Sequence, residues 1–175
     1  MTPDPTATIA ALVSRISEKL VELDQLTEFE MDHPLGAPAS PADIADFERR
    51  IGFTLPDDYK AFLRLHDGWG NFSGENALLS IAEMSDGELH DHVTGFQEEM
   101  QAGGENALSQ GLIFEASFTT RFSYFDRAGQ AQSGRLEVVY WNKRVLERYA
   151  SFTDYLADYE KTLDKFIADE RANQR

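Results

Sequence analysis

The stretch GFTLPDDYKAFLRLHDGWG, residues 52–70, decides how this chain is read. It crowds acids, aromatics and a histidine between glycines, and so looks like a site. Residue by residue it is mostly helix punctuation. Pro56 suits a first helical position, where a missing N–H costs nothing. Asp57 and Asp58 fall in the first turn, where the helix dipole favours negative charge. Tyr59, Phe62, Leu63 and His66 recur at helical spacing and face inward. Gly68 reads as the glycine that ends the helix. His66 then reads as a hydrogen-bonded core histidine rather than a base. Trp69 follows in a loop, DGWGNF, either covering the core edge or serving as a contact anchor for a partner.

Outward from this stretch the chain reads as helices, then strands, then a helix. A first helix spans about Thr8 to Thr27, with Ile9, Leu12, Val13, Ile16, Leu20 and Leu23 on one stripe. EFEMDHPLGAP (28–38) is a connector. A second helix runs from Pro41 to Arg50, with Ser40 as N-cap, Asp43 completing an acidic capping box and Gly52 as the stop. ALLSI (77–81) reads as a short strand. A helix then starts at Ser85 or Asp86 and buries Leu89, Val93, Phe96 and Met100. GLIFEA (111–116), FTTRFSYF (118–125) and RLEVVYW (135–141) read as strands, the last two joined by a hairpin turn, DRAGQAQSG. Phe118 and Phe122 belong on the core face of that sheet. A final helix opens at Ser151, with Phe152, Tyr155, Leu156, Tyr159, Leu163, Phe166 and Ile167 inward and ADERANQR fraying. GENAL occurs at 74–78 and 104–108 with unmatched flanks, and is no repeat.

Composition narrows the function. The chain has 175 residues, no cysteine and a net charge of −15. Disulfides, thiol catalysis and thiolate metal sites are excluded. No window is long and apolar enough for a membrane span, and the N-terminus lacks the pattern of a signal peptide, so the expected setting is cytoplasmic. Residues 65–120 hold ten acids and no lysine or arginine. Such a surface repels nucleic acid and attracts basic partners. Chemistry is hard to find elsewhere. His90 and His92 are about 200° apart on a helix and cannot share a metal ion. Asp57 and Asp58 point apart, and no nucleotide-binding, serine-hydrolase or zinc-protease motif is present.

Residues 40–68 resemble the SUKH superfamily, the Smi/Knr-like domains. The resemblance rests on SPADIADFERRIG, FTLP and DDYKAFLRLHDG, with Phe47, Glu48, Gly52, Leu55, Pro56, Tyr59, Phe62, Leu63 and Gly68 as the signature. Asp67 stands where the family usually has asparagine. ALLSIAEM and SFTDYLADYEKTL look like the family's later strand and terminal helix. The resemblance implies an α+β fold, a mixed or mainly antiparallel sheet flanked by N- and C-terminal helices. It divides the chain into an N-terminal helix and connector (1–38), the SUKH-like domain (39–170) packed with it, and a frayed tail (171–175). It implies a protein-binding domain without cofactor or catalysis. Such a domain is either an immunity protein that neutralises a basic toxin of nuclease or deaminase type, or a regulatory adaptor of cell-wall synthesis. A carboxylate-based hydrolase is the weakest alternative. From charge, the expected partner-binding residues are Glu83, Asp86, Glu88, Asp91, Glu98 and Glu99, with Trp69 as an apolar anchor. The oligomeric state is left open.

Overall fold

The computed structural model of the chain describes residues 4–174. Each signature residue has a local task. Ser40 Oγ accepts from the Asp43 N–H at 3.1 Å, and Asp43 Oδ2 accepts in return from the Ser40 N–H at 3.2 Å. That reciprocal box opens α2, Pro41–Ile51. Gly52 closes it at φ 62°, a left-handed conformation that suits glycine. Phe47 is buried, while Glu48 turns back so that its Oε1 accepts from the Leu55 N–H at 2.7 Å. The FTLP linker is thereby tied to the helix it leaves. α3 follows as Asp57–Leu65, with Pro56 as its N-cap rather than its first helical residue.

α3 ends at His66, before the expected glycine. Gly68 has another duty. Its φ is 98°, and a Cβ there would come within 3.0 Å of the Ser80 nitrogen. It marks a close approach between two chain segments, not a helix cap. His66 is only half-buried, with Nδ1 at 3.2 Å from the Gly36 carbonyl. Asp58 does more than complement the α3 dipole: its Oδ2 accepts from the Thr153 N–H at 2.8 Å and the Thr153 hydroxyl at 3.0 Å. The signature helix thus caps the terminal helix, α7, Phe152–Asn173.

Six strands form one antiparallel sheet in sequential order: β1 Trp69–Ser73, β2 Asn76–Leu78, β3 Leu112–Ala116, β4 Arg121–Phe125, β5 Val138–Asn142 and β6 Val145–Tyr149. Helices cover both faces. Neighbouring β4 residues point opposite ways: Phe122 meets Phe96 of α4, Glu88–Ala102, at 5.0 Å, whereas Ser123 reaches Tyr155 of α7. On the α7 side lie α3 and α1, Pro5–Thr27, which begins three residues earlier than expected because Asp4 caps it. α1 and α7 pack along their lengths, joined by Arg15–Glu160 at 2.7 Å and by Lys19–Asp164 and Arg171–Glu22 pairs. The architecture is α+β, and the sheet is wholly antiparallel.

Several expectations need correction. DRAGQAQSG is not a tight hairpin turn but carries a short helix, α6, Arg127–Ser133. Asp126 caps it by accepting from the Gly129 N–H at 2.8 Å, and the alanine and glutamine that follow favour helix. A five-residue helix, α5, Asn106–Gln110, also went unseen. α4 starts at Glu88, after a turn at 79–87, so the strand expected over 77–81 stops at Leu78. Phe118 precedes β4 and is 64% exposed, unlike the buried Phe122. α7 does not fray at Ala168 but continues to Asn173, where Gln174 donates to the Leu26 carbonyl at 2.6 Å; Phe166 lies half exposed. Of the expected tail, Arg175 lies outside the described residues, as do residues 1–3 of the N-terminal segment.

The core is unusually aromatic at its centre. Tyr59 is fully buried, with Phe125 and Phe152 edge-on at 5.0 Å and Phe114 at 5.5 Å. Its hydroxyl meets only Met84 Sδ, at 3.7 Å, so the ring carries the contribution. A polar counterpart sits nearby. Buried Glu115 accepts from Tyr155 at 2.7 Å, from Asn76 at 3.3 Å and from Ser123. Burial, with Glu115 alongside, holds the Tyr155 hydroxyl well above the usual phenol range. Tyr59→Ala should therefore cost about 3–5 kcal/mol, whereas Tyr59→Phe should cost under about 1 kcal/mol. Urea unfolding of the two variants checks this; equal losses would show that the hydroxyl, not the ring, is the anchor.

Candidate functional site

The six acids expected at the partner surface are all exposed, but they form two groups. The first is on the 79–87 turn. Ser80 donates its N–H and hydroxyl to Glu83 Oε2 at 2.8 and 2.9 Å, and Ser80 Oγ accepts from the Glu83 N–H at 3.2 Å. One Glu83 oxygen thus holds its own turn together. Asp86 lines an open groove of about 760 Å³ between that turn and α2, which also holds Asp43, Asp46, Arg49 and Arg50. Its charge is mixed, because α2 supplies both signs.

The second group is on α4. Glu88, Asp91, Glu98 and Glu99 fall within an arc of about 100° at helical spacing, opposite the Val93 side that packs on the sheet. Glu88 and Asp91 also sit in the first turn, where the dipole favours them. Charge from α4 therefore faces solvent as a stripe, with the turn acids preceding it in the chain. The two histidines expected to act apart do so: His92 Nε2 lies 3.2 Å from the Thr119 carbonyl, and His90 is near Thr94.

Trp69 does not belong to this surface. It is 1% exposed, tilted against Phe72 at 5.1 Å between ring centroids, and opens β1 rather than a loop. A bridge to Leu35 brings the connector across it. Trp69 packs as core rather than serving as a contact anchor, since burial leaves it nothing to offer a partner. Among the described residues its Nε1 is the buried side-chain atom without a hydrogen-bond partner. The flanking glycines suggested a loop, and the i, i+3 spacing of Trp69 and Phe72 gave no strand signal, because the β1 register shifts between Trp69 and Ser73.

Sequence reading missed Asp67. Its Oδ1 accepts from the Ile81 N–H at 2.8 Å, and its own N–H donates to the Ala37 carbonyl at 2.9 Å. It joins the signature stretch, the connector and the acidic turn. Burial raises its carboxyl above the usual range, the Ile81 bond opposes this, and the charges of Glu83 and Asp43 add to it.

The SMI1 / KNR4 family (SUKH-1) model matches residues 38–158. The chain belongs to this family. It is also 39% identical over 59 residues to a Bacillus subtilis (strain 168) protein described as "Uncharacterized protein YnaB"; the match covers 34% of this chain and 41% of that relative. The SUKH-1 match begins after α1 and most of the connector and ends within α7. Among the described residues, no helix of this SUKH-1 protein is long and apolar enough to cross a membrane.

Asp67→Asn keeps the acceptor for Ile81 and removes the charge. A carboxyl raised in the folded state costs stability once it is ionised, and the cost disappears below the unfolded value of about 3.9, where both states are protonated. Asp67→Asn should raise the melting temperature near pH 7 and bring no gain near pH 3. A loss of similar size at both pH values would contradict this.

Proposed function

We propose that this SUKH-1 chain is a non-enzymatic binding protein that uses its acidic face to hold a basic protein, most specifically as an immunity protein that occludes a nuclease- or deaminase-type toxin in a cytoplasmic setting. The observation that carries the reading is the distribution of charge. Residues 65–120 have ten acids and no lysine or arginine, and Glu83, Asp86, Glu88, Asp91, Glu98 and Glu99 all reach solvent. The carboxylate stripe on α4 steers an oppositely charged partner and speeds encounter. It also disfavours nucleic acid and anionic lipid, the two other large classes of charged partner. Family membership supports a protein partner.

The test is co-expression with the product of an adjacent toxin reading frame, followed by binding kinetics. Rescue from the toxin and tight association that weakens as salt rises would support the reading. Charge reversal of Glu88, Asp91, Glu98 and Glu99 together should weaken binding by at least about tenfold, chiefly through slower association. Binding that ignores both salt and charge reversal would refute the acidic-face mechanism. A gene with no toxin frame beside it would point instead to a regulatory adaptor of the cell-wall synthesis type.

A further inference from the structure

A second cation-free run begins before the residues matched by the family. Between Lys19 and Arg49 there is no lysine or arginine, while Asp24, Glu28, Glu30 and Asp32 lie close together in sequence. The fold gathers them. α1 ends where Glu28 takes a left-handed conformation, φ 54°, and the N–H of Phe29 returns to the Asp24 carbonyl at 3.1 Å. The chain reversal leaves a groove of about 690 Å³ between the last turns of α1 and residues 28–32. Its apolar walls are Val21, Phe29 and Met31; Val21 is 52% and Phe29 58% exposed. Among the described residues, the four carboxylates are its charged lining groups.

This groove is held in place from beneath. His33 lies between the Asn71 carbonyl, 2.6 Å from Nδ1, and Asp24 Oδ2, 2.9 Å from Nε2. Asn71 returns a bond from Nδ2 to the Asp32 carbonyl at 2.7 Å, using a left-handed backbone at φ 48°. The Gly70 N–H donates to the Pro34 carbonyl at 2.8 Å, so the connector is anchored along β1. An aromatic side chain more than half exposed on so constrained a segment is an open apolar surface among the described residues.

We infer that this groove docks a basic, apolar segment of a protein partner, with leucine-like side chains on Phe29 and Val21 and lysine or arginine over the rim. Charge selects that occupant. A second copy related by a two-fold axis would bring like-charged rims together, which opposes self-association. Anionic lipid and nucleic acid are repelled for the same reason. A basic amphipathic segment satisfies both the acidic rim and the apolar walls, the combination that helix-in-groove recognition uses. The inference shares with the proposed function only the sign of the partner's charge. It adds a contact surface separate from α4, contributed by the part of the chain that precedes the family match.

The test uses a synthetic peptide with leucine and lysine at helical spacing, with lysine–serine and glutamate–leucine peptides as controls. Backbone amide shifts of the full chain locate binding, and light scattering reports self-association. The leucine–lysine peptide should shift residues 21–32. Phe29→Ser with Val21→Ser should weaken it about tenfold or more, as should Glu28→Lys with Glu30→Lys, whereas Glu147→Lys, on the exposed edge strand β6, should leave it unchanged. These side chains are exposed, so unchanged urea midpoints should accompany the losses. Shifts centred on 83–99, equal binding of the lysine–serine peptide, or no loss on Phe29→Ser with Val21→Ser would overturn the inference. So would a dimer that dissociates when Phe29 is replaced, since a second copy would then cover the groove. Failure of the toxin experiment with success here would reject the immunity reading and keep the groove.

Discussion

The buried ring of Tyr59 is the constraint on which the rest of the molecule depends. It meets Phe114 and Phe125 from the sheet and Phe152 from α7, so three parts of the chain far apart in sequence share one contact. Aromatic rings meeting edge to face gain beyond their buried area. The ring is positioned by its neighbours in sequence. Glu48 fixes the linker that leads into α3, and Asp58 fixes the first turn of α7. Helix, sheet and terminal helix are therefore registered to one another by residues within a dozen positions of each other.

That arrangement separates scaffold from surface. Phe47, Leu55, Tyr59, Phe62 and Leu63 are buried, and Gly52 and Gly68 serve backbone geometry. None of these has a side chain to present to a partner. What remains open to solvent is the outside of elements that the scaffold merely supports. On α4 this is a carboxylate stripe. At the end of α1 it is a groove with apolar walls and an acidic rim. The two surfaces lie in different sequence regions: one falls within the family match and the other precedes it.

Much of the scaffold was legible because its signals are local. Caps at Ser40 and Ser151, the stop at Gly52 and the stripe from Ile9 to Leu20 follow from turn chemistry and helical period, and all are present. Misreadings arose where long-range contacts decide. Trp69 reads as a loop residue because glycines flank it, yet Gly70 is there to let Pro34 approach: a Cβ would meet the Pro34 ring at 2.8 Å. β6 gave no strand signal because its residues 145–148 are all exposed, the expected state of an edge strand guarded by charge. Phe118, Phe166 and Phe29 are aromatic but exposed, and periodicity cannot distinguish such residues from core. Charge on the candidate face was visible as composition. Its division between a self-bonded turn and a free helix stripe was not, because Ser80 captures Glu83 only in the folded geometry.

Hydrogen exchange on the chain with a basic protein partner bound would test most directly whether scaffold and surface are separate. Binding should slow exchange in residues 82–99 and 21–32, while the amides of residues 57–65 keep the slow rates that burial already gives them. Protection confined to the β5–β6 hairpin, or binding that requires residues 52–70 to open, would contradict that separation.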